Sequence, residues 1–365
     1  MPRKISPDRT LFGIAIVLCV FGVVMVGSAS AYYSLSRSGM AASYGFLLRQ
    51  ILYAIVGFAL LYRLYRTDYH VFGRQKVALG LVAGTIVLLL SVFLFEAHKG
   101  THRWIPLGLF NLQPSEISKF ALAVFLAYMI EKKGESINTP GVGTVPCYAV
   151  AGLLAGLIFL EPDLGTAVLL MLVTTVVLFV AGMRKRVLAG LVFAACAVLP
   201  VLVFSAKYRR DRWLAFLNPE LDPSGINFQL VQSKIALGSG GLIGNGFGQG
   251  LQKWLYLPEG HTDFIYSVIG EELGMIGTLA VLSFFIVILW RGLRTGLRAP
   301  DRFGAYLALG ITMFLVGQAL INIGVTTGML PPKGLPLPFL SYGGSSLIVT
   351  LGMTGVLLNV SQQAG

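Results

Sequence analysis

The sequence predicts an all-α integral membrane protein of about ten transmembrane helices, with both termini cytoplasmic and a large outer loop between helices 7 and 8. Three observations predict it. Of 365 residues, 55% are hydrophobic and only 12% charged, against about 25% charged in an ordinary soluble chain, and the mean hydropathy is +0.77. Apolar runs recur at lengths near the roughly 20 residues a helix needs to cross hydrocarbon. Lys and Arg gather in alternate connections between those runs. The same composition excludes a soluble globular enzyme and a disordered chain, and the 44 glycines follow no three-residue period, which excludes a collagen-like one.

The first run, 11–31, follows Arg3, Lys4 and Arg9 and ends in Ala29-Ser30-Ala31, the outline of a secretory signal. Its apolar length exceeds the roughly 7–15 residues of a signal's hydrophobic region and nine runs follow, so it reads as a retained anchor. Runs two, 46–64, and three, 77–95, enclose the basic connection Arg63, Arg66, Arg74, Lys76. Run four, 117–130, is short and opens on the polar stretch Gln113, Ser115, Glu116. Run five, 145–160, meets run six, 164–181, across the acidic turn Glu161-Pro-Asp163. Run seven, 187–205, follows Arg184-Lys-Arg186 and leads into a 206–263 segment too long for a simple connector. Runs eight, 264–290, and nine, 303–328, flank Arg291, Arg294, Arg298 and Arg302, and run ten is 339–360.

With the amino terminus inside, the inner segments hold 16 Lys and Arg and the outer ones 12, of which six lie in the long loop that the rule discounts. No repeat of fixed period and no inverted pair of broken segments is visible. The chain is therefore one polytopic domain, 1–365, containing the loop 206–263. Cys19, Cys147 and Cys196 each lie in an apolar run without metal-ligand spacing, so neither disulfides nor zinc are expected. The net charge of +12 flanks membrane spans rather than forming one surface, and no nucleic-acid partner is expected.

Candidate chemistry clusters on the outer side. The long loop opens with Lys207-Tyr-Arg209-Arg210-Asp-Arg212, a positive cluster suited to an anion or to lipid headgroups. Seven glycines between Gly238 and Gly250 permit either close approach to a phosphate or a re-entrant turn, and no nucleotide-binding motif accompanies them. At the loop's end, Asp263 stands at the mouth of span eight, where it is either a helix N-cap or a carboxylate base with His261 beside it. Glu271 and Glu272 lie roughly 12–13 Å deeper, and an acid inside a span is a functional or structural-partner residue. Their side chains point about 100° apart, so they do not form a shared-proton pair. Glu116 and Lys119, at i and i+3 on one helical face, can pair. Arg103 and Trp104 look interfacial. The Pro- and Gly-rich stretch 322–346, with Lys333 and Ser341, is tolerated at membrane depth only if it is buried or lines a polar cavity.

Three blocks together resemble the SEDS (shape, elongation, division and sporulation) family of FtsW, RodA and SpoVE. They are Gln113-Pro-Ser-Glu-Ile-Ser-Lys119, Pro258-Glu-Gly-His-Thr-Asp-Phe-Ile265 and the whole of 322–346, ending in Phe-Leu-Ser-Tyr-Gly-Gly-Ser-Ser. Lys333-Gly-Leu and Gly27-Ser-Ala-Ser30 resemble the division branch more than the elongation branch. The resemblance implies a peptidoglycan glycosyltransferase of the bacterial cytoplasmic (inner) membrane. Such an enzyme polymerises lipid II on the outer face with inversion and with undecaprenyl diphosphate as leaving group. It implies Asp263 as the essential acid, and Glu116, Lys119, Arg103, Trp104, Lys333 and Ser341 as functional positions. It also implies a single-span class B penicillin-binding protein as partner, among other division or elongation proteins.

On these residues Asp263 is expected to be the base, with Arg209, Arg210 or Lys333 holding the diphosphate and His261 assisting. A divalent cation, magnesium or manganese, is an optional source of the same charge. Glu271 and Glu272 are expected in supporting roles. Two other readings stand beside this one: a lipid II flippase whose path Glu271, Glu272 and the arginines line, and a scaffold that only recruits a transpeptidase.

Overall fold

The computed structural model describes residues 6–38, 45–95, 102–108, 111–218, 227–251, 257 and 260–364, and a helix occupies each of the ten expected runs. In chain order the α-helices of eight residues or more are α1 (Arg9–Ser38), α2 (Gly45–Arg66), α3 (Gln75–Ser91), α4 (Pro114–Lys133), α5 (Val145–Leu160), α6 (Leu164–Val180) and α7 (Lys185–Phe204). They continue with α8 (Lys207–Leu217), α9 (Phe228–Ser239), α10 (Ile265–Arg298), α11 (Arg302–Thr326) and α12 (Gly344–Gln363). Among the described residues seven helices, α1, α2, α3 extended to Leu94, α7, α10, α11 and α12, are long and apolar enough to cross a membrane, and α5 and α6 are shorter apolar helices. The chain is a multi-pass membrane protein. Arg3, Lys4, Thr101, Pro258 and Glu259 lie outside the described residues.

The centre of the bundle is α4, α11 and α12. Lipid offers no hydrophobic drive to bring helices together, so their contact depends on small residues and internal polar pairs. A Cβ on Gly355 of α12 would lie 2.5 Å from the Leu61 carbonyl of α2, and one on Gly57 of α2 would lie 2.5 Å from Leu351. Asn359 secures the end of the same pair. Its Oδ1 accepts from Tyr69 N at 3.0 Å and its Nδ2 donates to Tyr65 O at 2.7 Å, so it pairs backbone groups that the end of α2 leaves open. The first helix is built into this bundle. A Cβ on Gly22 would meet Phe339 O at 2.5 Å, and Asp8, just before α1, pairs with Arg291 at 2.5 Å. By contrast α7 has no buried residue and stands at the periphery.

Among the described residues the 206–263 segment contains two helices, α8 and α9, and the Gly-rich stretch after α9 is bonded to α10. Gly274 (φ 67°, ψ −162°) interrupts α10, and this conformation is open essentially to glycine alone. Around the break, Asn245 N and Gly246 N donate to Glu271 O and Glu272 O, while Met275 N and Ile276 N donate to Gly241 O and Leu242 O. The two intramembrane acids complete the arrangement. Glu271 Oε1 accepts from Leu251 N at 2.7 Å; Glu272 accepts from Gly248 N at 3.1 Å and from the Ser28 hydroxyl at 2.7 Å. They accept from backbone donors of the Gly-rich turn.

Candidate active site

A cavity of about 860 Å³ opens at one end of the bundle, where α2, α4, α6, α10 and α12 begin and α5 and α7 end. Asp263, in the turn before α10, is on its wall. The N-cap of α10 is Phe264, with no side-chain cap bond, so the capping alternative for Asp263 is not what the fold uses. Gly334 leaves room for the Asp263 carboxylate, since a Cβ there would sit 2.8 Å from Oδ2.

The wall also carries five cations, Arg49, Arg103, Arg209, Arg212 and Lys333. Arg103 and Trp104 come from the segment leading into β1 (Ile105–Pro106), which pairs antiparallel with β2 (Asn111–Leu112). The Arg103 guanidinium donates to Glu161 O at 2.9 Å and to Pro162 O, fixing the turn between α5 and α6. Lys333 stands on the loop 331–343; burial pushes its ammonium below the usual lysine range, and the nearby Asp163 carboxylate opposes that shift. Asp163 caps α6, accepting from Thr166 N at 3.1 Å and from the Thr166 hydroxyl at 2.8 Å. Glu161, one residue beyond α5, is fully buried and neither of its carboxyl oxygens has a partner among the described residues. Burial and the neighbouring Asp163 push it up to about 8, with Arg103 opposing.

From α8 the cavity receives Arg209, Arg212 and Trp213. This spacing of three and four residues is one face of a helix. Arg210, expected beside Arg209, falls on another face, where it lies 3.5 Å from Asp211, and Arg212 takes the expected place on the wall. Arg209 is held by Leu202 O at 2.7 Å and lies over the Phe159 ring at 4.3 Å.

Glu116, Lys119, His261 and Ser341 support the wall from behind. Lys119 Nζ lies 2.6 Å from Glu116 Oε2 and donates at 2.6 Å to Gln318 Oε1; both charged side chains are buried to within 1% exposure. The Ser341 hydroxyl donates to Thr262 O at 2.6 Å and accepts from Leu337 N at 2.7 Å. His261 accepts through its carbonyl from Tyr342 N at 2.9 Å, and its ring packs edge-on against Phe46. Glu271 and Glu272 belong to the Gly-rich turn described above. Sequence reasoning missed Arg49 and Tyr53, both on the cavity wall. The signal for Arg49 was a cation in the first turns of an otherwise apolar run.

The model of the cell cycle protein family FtsW, RodA and SpoVE matches residues 8–365. The chain belongs to this family. Among its family relatives, a probable peptidoglycan glycosyltransferase FtsW of Geobacter metallireducens is 45% identical over 357 residues, covering 97% of this chain and 94% of the relative. The stage V sporulation protein E of Bacillus subtilis is 40% identical over 361 residues, covering 99% and 98%. Family members also appear among solved structures. A chain from a structure described as the structural coordination of polymerization and crosslinking by a peptidoglycan synthase complex superposes with a TM-score of 0.76 at 28% identity, covering 98% of both chains. The crystal structure of Thermus thermophilus rod shape determining protein RodA gives a TM-score of 0.69 at 28% identity, covering 99% of this chain and 98% of that one. The FtsW/RodA/SpoVE fold thus extends over nearly the whole chain.

Proposed function

We propose that this protein is a peptidoglycan glycosyltransferase that polymerises lipid II at the outer face of the bacterial cytoplasmic membrane, serving cell division. The observation that carries the reading is one cavity that gathers the Asp263 carboxylate with Arg49, Arg103, Arg209, Arg212 and Lys333. In the proposed reaction the 4-hydroxyl of the acceptor sugar attacks the anomeric carbon of the donor. The hydroxyl proton passes to Asp263, the new glycosidic bond forms with inversion, and the bond to undecaprenyl diphosphate breaks with its electron pair on the leaving phosphate oxygen. A diphosphate leaves without a general acid where fixed cations stabilise its charge, and the cavity provides five. Leu199, Val203 and Phe204 of the peripheral helix α7 add an apolar wall suited to a polyprenyl chain.

The placement on the outer face is supported by the Lys and Arg count, which assigns the cavity end of the bundle to the outside. Were a divalent cation to bind, Asp163 and Asp263, the carboxylates on the wall, would hold it, and it would supply positive charge for the leaving diphosphate. Among the described residues no three His, Cys, Asp or Glu side chains converge on a metal-sized site. Division is supported by the FtsW relatives, and a class B penicillin-binding protein is the proposed transpeptidase partner, consistent with a similar chain coming from a synthase complex. Glu271 and Glu272, which a transport path would employ, are bonded to the Gly-rich turn instead.

The test is glycan formation from labelled lipid II by detergent-purified protein, wild type against Asp263→Ala, with and without magnesium, manganese and a cognate transpeptidase. Wild type is expected to make polymer and Asp263→Ala to make none while unfolding at the same temperature. Equal polymer from both would remove Asp263 from the chemistry.

A further inference from the structure

The loop that carries Lys333 and Gly334 contains Pro331, Pro332, Pro336 and Pro338, each of which lacks an N–H. A segment so short of donors leaves its carbonyls to be satisfied from outside, and α11 does so with two amides one helical turn apart. Gln318 Nε2 donates to Pro336 O at 2.7 Å. Asn322 Nδ2 donates at 2.7 Å both to Leu335 O and to the carbonyl of Asp263 itself. Asp263 O is available because the first turn of α10 is closed by Phe264 O, which accepts from Ser267 N and Val268 N. The orientation of both amides is fixed by chemistry: carbonyls can only accept, and Lys119 Nζ can only donate. Hence Gln318 turns its oxygen to Lys119 at 2.6 Å and its nitrogen to the loop.

These bonds form one buried chain from Glu116 through Lys119 and Gln318 to Pro336, continued by Asn322 from Leu335 to Asp263. We propose that Gln318 and Asn322 are positioning residues that set the distance between the Asp263 carboxylate and the Lys333 loop. On this account the Glu116–Lys119 pair acts on turnover through Gln318 and touches no substrate. The inference rests on the reading of Asp263 as the base. Gln318, Asn322, Glu116 and Lys119 are all buried, and none of them is on the cavity wall, so their loss leaves Arg49, Arg103, Arg209 and Arg212 in place and shifts only the Lys333 loop against Asp263. Displacing a base by even about 1 Å costs roughly a hundredfold in rate.

Two variants test this with labelled lipid II and purified protein, reading kcat, KM and unfolding temperature. Asn322→Asp keeps the shape but turns the double donor into an acceptor. The pair Glu116→Gln with Gln318→Glu keeps one carboxylate beside Lys119 and removes the donor to Pro336 O. Each is expected to lower kcat by about 10–100-fold, with KM within about threefold, and to unfold at a lower temperature than wild type, because a buried carbonyl loses its donor. If Asn322→Asp does not fold, the double variant decides. Wild-type kcat in either folded variant, or a loss carried by KM alone, overturns the proposal. Failure of the underlying reading looks different: there Asp263→Ala itself polymerises, whatever the Asn322 variant does.

Discussion

Replacing Glu161 by glutamine isolates the energetic consequence of a carboxyl group buried without a partner. In the folded protein Glu161 is pushed up to about 8 by burial, with the charge of Asp163 adding to the effect; in the unfolded chain it titrates near 4.3. Between these values the unfolded chain is ionised while the folded protein still holds the proton. The group's contribution to stability is therefore fully present below about 4.3 and is lost as pH rises towards about 8. The slope is about 1.4 kcal/mol per pH unit, so moving from pH 5.5 to 7.5 removes roughly 2–3 kcal/mol. Glutamine is close in shape to the protonated acid and does not titrate. The assay is thermal unfolding of detergent-purified wild type and Glu161→Gln at pH 5.5, 6.5 and 7.5, in which every other titrating group cancels in the difference. The variant should gain on wild type steadily as pH rises. Parallel curves would refute the reasoning, because they would mean that Glu161 ionises alike in the folded and unfolded chains.

Two further outcomes follow from the geometry. Arg212→Ala should lower kcat/KM for lipid II polymerisation by about 10–100-fold, the value of one charge-assisted phosphate contact of about 1.5–3 kcal/mol, while Arg210→Ala stays within about twofold; steady-state kinetics on both variants checks the assignment of faces on α8. Gly274→Ala should destabilise the protein by more than about 3 kcal/mol, since its φ of 67° is strained for alanine and its Cβ would lie 2.4 Å from Gly244 N. Gly84→Ala in α3, where a Cβ meets nothing within 4 Å, is the control for the same unfolding measurement and should shift by less than about 1 kcal/mol.

How much of this was legible in the sequence depended on whether the signal was local. The helices were, because an apolar run of about 20 residues has one stable form in lipid. Asp263 was also legible, as an acid at a span's mouth within a block of family character. That Arg212 rather than Arg210 joins Arg209 on the wall was not legible, because a cluster of cations does not show which members share a side until a helix is phased, and α8 begins at Lys207. The partners of Glu271 and Glu272 were invisible for a different reason. Apart from the Ser28 hydroxyl, their contacts are backbone N–H groups of a turn about 20 residues earlier, and every residue type but proline supplies an N–H. The same holds for Asn322, whose acceptors are two carbonyls with no sequence signature of their own.

That pattern has a physical cause in the membrane setting. A reaction between a lipid-linked diphosphate and a sugar hydroxyl needs a polar cavity at the edge of hydrocarbon, and such a cavity needs irregular backbone where helices would otherwise continue. An irregular residue that is buried there opens an N–H or a carbonyl whose lack of a partner costs several kcal/mol. Buried side chains must then supply the missing partners. Glu271 and Glu272 do so for the donors of the Gly-rich turn, while Gln318 and Asn322 do so for the acceptors of the proline-rich loop. Acids therefore face the segment rich in N–H groups, and amides face the segment depleted of them. The polar residues buried in α10 and α11 are matched in kind to what each loop lacks, which is why the exchange of donor for acceptor in Asn322→Asp is a sharper perturbation than truncation to alanine.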